Sequence, residues 1–167
     1  SWVIPATGTK GTVYLLPSAK SVCPGQMFTV KVMARDLPGV AGFAIRIAFD
    51  NTRLEAVKNG RSWTKYDENV SILKNNVTVY VDESAYNVSY SHAENGYENS
   101  GELFEIKFKV KEDAPAGDAI LTMDTATVGD EGEKNVWTNA ELQAYNPAYQ
   151  NTSVATGHSY GEDWKSD

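Results

Sequence analysis

The chain has 167 residues, 41% of them hydrophobic and 22% charged, which is enough for one domain with its own core. Its formal net charge of -7 argues against nucleic acid and anionic membranes as partners, because both attract basic surfaces. No apolar run approaches the ~20 residues that cross a bilayer. A single cysteine, Cys23, excludes an internal disulfide, so packing must supply the stability. We expect one domain over residues 1–167, with residues 1–10 and 161–167 loosely ordered.

Short segments of alternating apolar and polar residues, separated by turn signals, follow one another along the chain. This pattern predicts strands at residues 12–16, 27–34, 43–49, 54–57, 70–73, 77–82, 102–110, 119–123 and 150–155. Residues 83–101 are polar and are expected to form a flap or an extra short strand. Residues 139–145 are expected to form a short helix or a strand. With no internal repeat and no long amphipathic helix, the sequence predicts an all-β fold of two facing sheets.

The strand at residues 43–49 organises this interpretation. Four large apolar side chains share one side, and three residues share the other: Ala44, Arg46 and Ala48. Pro38-Gly39 precedes the strand and Asp50-Asn51 follows it, and both pairs are turn signals. The sequence therefore predicts a strand with one buried face and one flat, presented face.

The strand at residues 77–82 shows the same division, and we expect it to form a hairpin with residues 70–73. Its outward row is Thr78, Tyr80 and Asp82. Such a face is either an ordinary solvated sheet face or the place where a partner binds. Small residues beside Tyr80 and Leu73, with Arg46 and acids at the margin, favour a protein interface.

Four segments of the chain together resemble the cohesin domain, the module with which cellulosomal scaffoldins hold dockerin-bearing subunits. They read M-F-T-V-K-V-M-A-R-D-L-P-G, A-G-F-A-I-R-I-A-F-D-N-T-R-L-E, V-T-V-Y-V-D-E and G-E-L-F-E-I-K-F-K-V-K-E-D-A-P-A-G-D-A-I-L-T-M-D. They occur in the family's order and cover most of residues 16–130. The resemblance implies a jelly-roll sandwich of about nine strands with a dockerin site on one flat sheet face.

The resemblance also implies which residues contact the dockerin. The third strand contributes Ala44, Arg46 and Ala48, and the fifth contributes Leu73. The sixth contributes Thr78, Tyr80 and Asp82, with Glu83 at the family's acidic position. Near the eighth strand lie Asp130, Glu131 and Glu133. Well-known cohesins carry Asn and Asp where this sequence has Gly42 and Ala44, which suggests a different specificity group.

The resemblance implies a non-catalytic binding module that is secreted or attached to the cell surface. Calcium is expected in the dockerin partner, and no cofactor or metal is expected in this chain. The residues agree with this expectation. Two histidines and one cysteine give no zinc spacing, and the acids between Asp124 and Glu133 do not follow the EF-hand pattern.

Some residues match the patterns of carbohydrate-binding modules and of hydrolases. A carbohydrate-binding module is the main alternative, because such modules stack sugars on tryptophan and the chain has Trp2, Trp63, Trp137 and Trp164. Residues 157–161 match the nucleophile elbow of hydrolases, but no histidine follows them to complete a triad. Carboxylates are numerous, yet no pair is singled out for glycoside hydrolysis.

Overall fold

The computed structural model describes residues 11–66, 73, 77–91, 100–125, 127–128, 133–134, 137–139 and 141–157. These residues contain no helix and form the following strands: β1 (Thr12–Pro17), β2 (Ser21–Val22), β3 (Met27–Arg35), β4 (Gly42–Phe49), β5 (Leu54–Val57), β6 (Thr64–Lys65), β7 (Val77–Val81), β8 (Ala85–Ser91), β9 (Gly101–Val110), β10 (Gly117–Thr125), β11 (Thr127–Val128), β12 (Glu133–Lys134), β13 (Trp137–Thr138), β14 (Ala144–Tyr145), β15 (Ala148–Gln150) and β16 (Thr152–Thr156). The predictions for residues 1–10, 70–72 and 161–167 lie outside the described residues.

Two sheets face each other. The first has the order β15-β1-β3-β9-β5, with β6 also paired to β9. The second has the order β14-β13-β4-β10-β16-β2, and β8 pairs with β4 and in turn with β7. A separate two-stranded sheet joins β11 and β12. The predicted all-β sandwich is confirmed, and the strands predicted from alternation at β1, β3, β4, β5, β9, β10 and β16 are present.

Aromatic side chains from both sheets meet in the core. The ring of Phe108 on β9 lies 5.5 Å from Phe28, 5.1 Å from Phe49 and 5.5 Å from Tyr86, measured between centroids. The hydroxyl of Tyr86 donates a 2.8 Å hydrogen bond to the carbonyl of Lys107, which joins the second sheet to the first. Burial raises the pKa of Tyr86, so this hydroxyl stays a donor at neutral pH.

The predicted hairpin between residues 70–73 and 77–82 involves residues outside the described part of the chain. Within the described residues β7 pairs with β8, and β8 lies between β7 and β4. The segment interpreted as a flap or an extra strand therefore contains a full strand of the second sheet. Residues 139–145 were expected to form a short helix or a strand; of these, the described residues 139 and 141–143 form a turn and Ala144–Tyr145 form β14. Among them, Asn139 Oδ1 accepts hydrogen bonds from the backbone N–H groups of Glu141 and Gln143.

The predicted turn after β4 is confirmed, and Asp50 holds it together. Its carboxylate accepts hydrogen bonds from the Thr52 N–H at 3.0 Å, the Thr52 hydroxyl at 2.6 Å and Arg53 Nη1 at 2.7 Å. The Thr52 hydroxyl, together with Arg53, keeps the pKa of Asp50 below its ordinary value. The charged form of Asp50 therefore stabilises the folded state.

We expect Asp50→Asn to lower the free energy of unfolding at neutral pH by about 1.5–3 kcal/mol, as for hydrogen bonds to a charged group. The lowered pKa means that this contribution is complete above the ordinary value of 3.8 and is lost as the pH falls through the lowered value. Urea unfolding of both proteins at pH 7, and at the lowest pH where both remain folded, measures this. The difference should shrink in acid, and a constant difference would contradict the assignment.

Candidate functional site

The side of the second sheet that points away from the core is built from β7, β8, β4, β10 and β16. Across it, strand register places Tyr80 beside Asn87, Asn87 beside Arg46, and Arg46 beside Asp124. We call this surface the outer face; its members are Thr78, Tyr80, Asn87, Ser89, Arg46, Ala48, Ile120, Thr122, Asp124 and Ser153. It is continuous over five strands and nearly flat because most of its side chains are short.

Two large apolar side chains stand out from the outer face. Tyr80 on β7 is 67% exposed and Ile120 on β10 is 57% exposed. Arg46 is exposed on β4, the strand nearest the middle of this surface, and Ala48 beside it is half-buried. Aromatic residues and arginine are enriched at protein interfaces, and both are exposed here.

Asp82 closes the turn between β7 and β8. Its Oδ1 accepts hydrogen bonds from the Ser84 N–H at 2.9 Å, the Ala85 N–H at 2.8 Å and the Ser84 hydroxyl at 3.3 Å. The Ser84 N–H contributes most to keeping the pKa of Asp82 below its ordinary value, and the charge of Arg46 adds to this effect. Asp82 therefore shapes the turn that carries Glu83 and adds a negative charge at the margin of the outer face.

Two residues predicted to contact a partner are not available to one. Leu73, expected as an apolar anchor, is fully buried in the core, so that prediction is wrong. Ala44 belongs to the outward row of β4 but is only 7% exposed, because a methyl group in a central strand lies below its larger neighbours. It offers a partner almost no surface.

The other predicted residues are distributed as follows. Thr78, Tyr80 and Arg46 are exposed on the outer face, and Glu83 is exposed in the adjoining turn. Glu131 lies outside the described residues, as does Asp130. Glu133 begins β12, which belongs to the small separate sheet.

Sequence reasoning missed the part of the outer face that β8 and β10 contribute. Asn87 and Ser89 alternate with buried residues of β8, and Ile120 and Thr122 alternate with buried residues of β10. The period-two signal was present in both segments. It would have identified these residues once β8 was placed beside β4.

The tryptophans in the described part of the chain do not form a sugar platform. Trp137 is fully buried and stacks on Phe43 with centroids 4.4 Å apart. The Lys58 ammonium lies 5.2 Å from the centre of the Trp63 ring and occupies one face of it. Trp2 and Trp164 lie outside the described residues.

The described residues offer no metal centre, because no three His, Cys, Asp or Glu side chains among them are grouped to hold an ion. They also include no helix long and apolar enough to cross a membrane. Cys23 is a half-buried free thiol in the turn before β3.

A two-sheet sandwich that leaves one sheet face open to solvent is suited to binding another protein. The family model of the cohesin domain matches residues 14–143, well over half of the chain. The chain therefore belongs to the cohesin family, and the resemblance drawn from the sequence is confirmed. Cohesin domains are protein-interaction modules. No curated protein matches the sequence.

Solved structures with the same fold include several cohesins. The seventh ScaB type I cohesin of Pseudobacteroides cellulosolvens has a TM-score of 0.70 and 17% identity, over 93% of this chain and 98% of that one. The sixth cohesin of scaffoldin B from Acetivibrio cellulolyticus, solved with a Cel5 dockerin, has a TM-score of 0.68 and 15% identity, over 90% of this chain and 100% of that one. A non-cellulosomal cohesin of Archaeoglobus fulgidus has a TM-score of 0.66 and 17% identity, over 90% of this chain and 93% of that one.

Proposed function

We propose that this cohesin domain binds a dockerin on its outer face and so anchors an enzyme or a scaffold subunit in a cellulosome. The observation that carries the proposal is the pair of exposed apolar side chains, Tyr80 and Ile120, on either side of exposed Arg46. The solved cohesin of A. cellulolyticus with a bound dockerin supports the same class of partner.

Each part of the outer face has a physical task in this proposal. When a partner covers Tyr80 and Ile120, their apolar surface is removed from water, and this favours binding. Arg46 donates charge-assisted hydrogen bonds to carbonyl or carboxylate oxygens of the dockerin. Ala48 is small enough for a helix of the partner to lie close to the sheet.

The remaining features of the proposal concern setting and cofactors. The domain has no catalytic role, and it acts outside the cell as a secreted or surface-attached module. The calcium of the complex belongs to the dockerin. Gly42 and Ala44 stand where other cohesins have Asn and Asp, and this difference supports a proposal that the domain has a different dockerin specificity. Glu83 contributes negative charge at the margin of the interface, and Glu131 stays a contact that the family resemblance implies.

An affinity capture experiment tests the proposal. The immobilised domain is incubated with cellulosomal extract in calcium, and the bound proteins are identified after elution with EDTA. We expect dockerin-bearing proteins that EDTA releases. Retention of the domain on cellulose or xylan, with no dockerin captured from extract or from a panel of purified dockerins, would contradict it.

The carbohydrate-binding alternative is not favoured. Stacking on a sugar needs an aromatic ring with an accessible face, and the two described tryptophans are buried or covered by lysine. Tyr80 is exposed, but it stands alone on β7 among short polar side chains. The family membership of the chain points to a protein partner.

A further inference from the structure

A cavity of about 260 Å³ opens at one end of the sandwich, where β5 of the first sheet approaches the β7–β8 turn of the second. Its inner wall is apolar and includes Phe49, Leu54, Val81 and Trp63. Pockets that hold drug-sized ligands usually have about 300–1,000 Å³. This cavity is smaller and corresponds in scale to a single long side chain.

Charged groups surround the mouth of the cavity. Glu55, Asp82 and Glu83 contribute carboxylates, and Lys111 contributes one ammonium group. None of the ion pairs between described residues involves Glu55, Glu83 or Lys111. The Lys58 ammonium over the Trp63 ring adds a second positive charge, so three carboxylates face two ammonium groups and the mouth is negative on balance.

We propose that this cavity receives one lysine or arginine side chain of the dockerin partner. The inference rests on the proposed function and adds a second contact to it. Lysine and arginine carry a long apolar stem with a cationic head, and this matches an apolar wall with an acidic mouth. The mouth of the cavity adjoins the margin of the outer face, because Asp82 and Glu83 follow directly on β7, which carries Tyr80. A partner lying on Tyr80 therefore reaches the mouth.

A sugar ring fits the cavity less well. Trp63 forms part of the wall, but Lys58 lies over its ring and the rest of Trp63 packs against the core. A sugar that stacked on this face of the tryptophan would therefore have to displace Lys58. An acidic partner side chain would be attracted by Lys111 and Lys58 but repelled by three carboxylates.

Charge substitutions that act in opposite directions test the proposal. Isothermal titration calorimetry is performed with a dockerin that the wild-type domain captures. We expect the double variant Glu55→Gln, Glu83→Gln to bind roughly tenfold more weakly, a loss of 1.4 kcal/mol. Lys111→Gln should bind roughly two- to threefold more tightly, because it removes a like charge.

The control Glu112→Gln, a neighbouring exposed carboxylate outside the cavity, should change affinity less than twofold, as exposed surface charges usually do. Tighter binding by the double variant, or weaker binding by Lys111→Gln, would show that the cavity does not take a cation.

A second measurement separates failure of this inference from failure of the proposed function, because it needs no dockerin. The isotope-labelled domain is titrated with N-acetyl-arginine amide, N-acetyl-lysine amide, neutral N-acetyl-norleucine amide and cellobiose. We expect the two cationic probes to shift the NMR signals of the Trp63 indole and the Ala56 and Val81 amides, and the double variant to lose the shifts. Equal shifts with the norleucine probe, shifts with cellobiose alone, or no shifts at all would overturn the inference.

Discussion

The Tyr80→Ala variant is expected to bind its dockerin about 30-fold more weakly than the wild type, because aromatic anchors at protein interfaces often contribute 2 kcal/mol or more. Tyr80 is 67% exposed on β7, so its ring makes few contacts within the domain that the substitution would remove. Calorimetric titration gives the affinity, and thermal unfolding verifies that the fold is retained. We expect little change in the unfolding midpoint.

The matched control is Leu16→Ala. Leu16 is 51% exposed on β1, in the first sheet, so it is an exposed apolar side chain far from the outer face. This variant should bind the dockerin like the wild type. If both variants bind normally, the outer face is not the binding surface. If Leu16→Ala alone weakens binding, the partner uses the first sheet.

The second large effect concerns stability. We expect Trp137→Ala to lower the free energy of unfolding by about 3–5 kcal/mol, as is usual when a buried tryptophan is truncated. Trp137 is fully buried, its ring stacks on Phe43, and its Nε1–H donates to the Tyr149 hydroxyl at 2.9 Å. The substitution leaves a cavity and removes one partner of a hydrogen bond between the two sheets.

Urea unfolding of a small set of variants separates these two contributions. Trp137→Phe keeps an aromatic ring against Phe43 but loses the hydrogen bond, so we expect it to be destabilised by less than Trp137→Ala. Tyr149→Phe removes the hydroxyl that Trp137 and Thr125 share, and it should cost about 1–3 kcal/mol, because it leaves a buried donor unpaired. A loss below about 1 kcal/mol for Trp137→Ala would contradict the structural role of β13.

The parts of the fold that could be predicted from the sequence are those where one strand face is buried. In β3, β4 and β9 apolar and polar residues alternate over many positions, because every second side chain enters the core. The order of strands within a sheet leaves no such trace. The alternation of β8 is visible in the sequence, but it does not show that β8 lies between β7 and β4.

The candidate site shows the same limit. Arg46, Thr78 and Tyr80 were placed outward because alternation on both sides fixed their direction. The burial of Leu73 could not be predicted, because a single leucine at the end of a short segment does not reveal which way its side chain points. The cavity could not be predicted, because Glu55 and Glu83 are far apart in sequence and meet only when the two sheets face each other.

The pairing of the first strands with the last ones decides when the domain can form during synthesis. β1 runs parallel to β15, and β2 runs parallel to β16. Each sheet thus acquires a member only after the ribosome has added residues 148–156. Until then one edge strand of each sheet has unpaired backbone N–H and C=O groups. The nascent chain must therefore be kept from pairing with other chains through these edges.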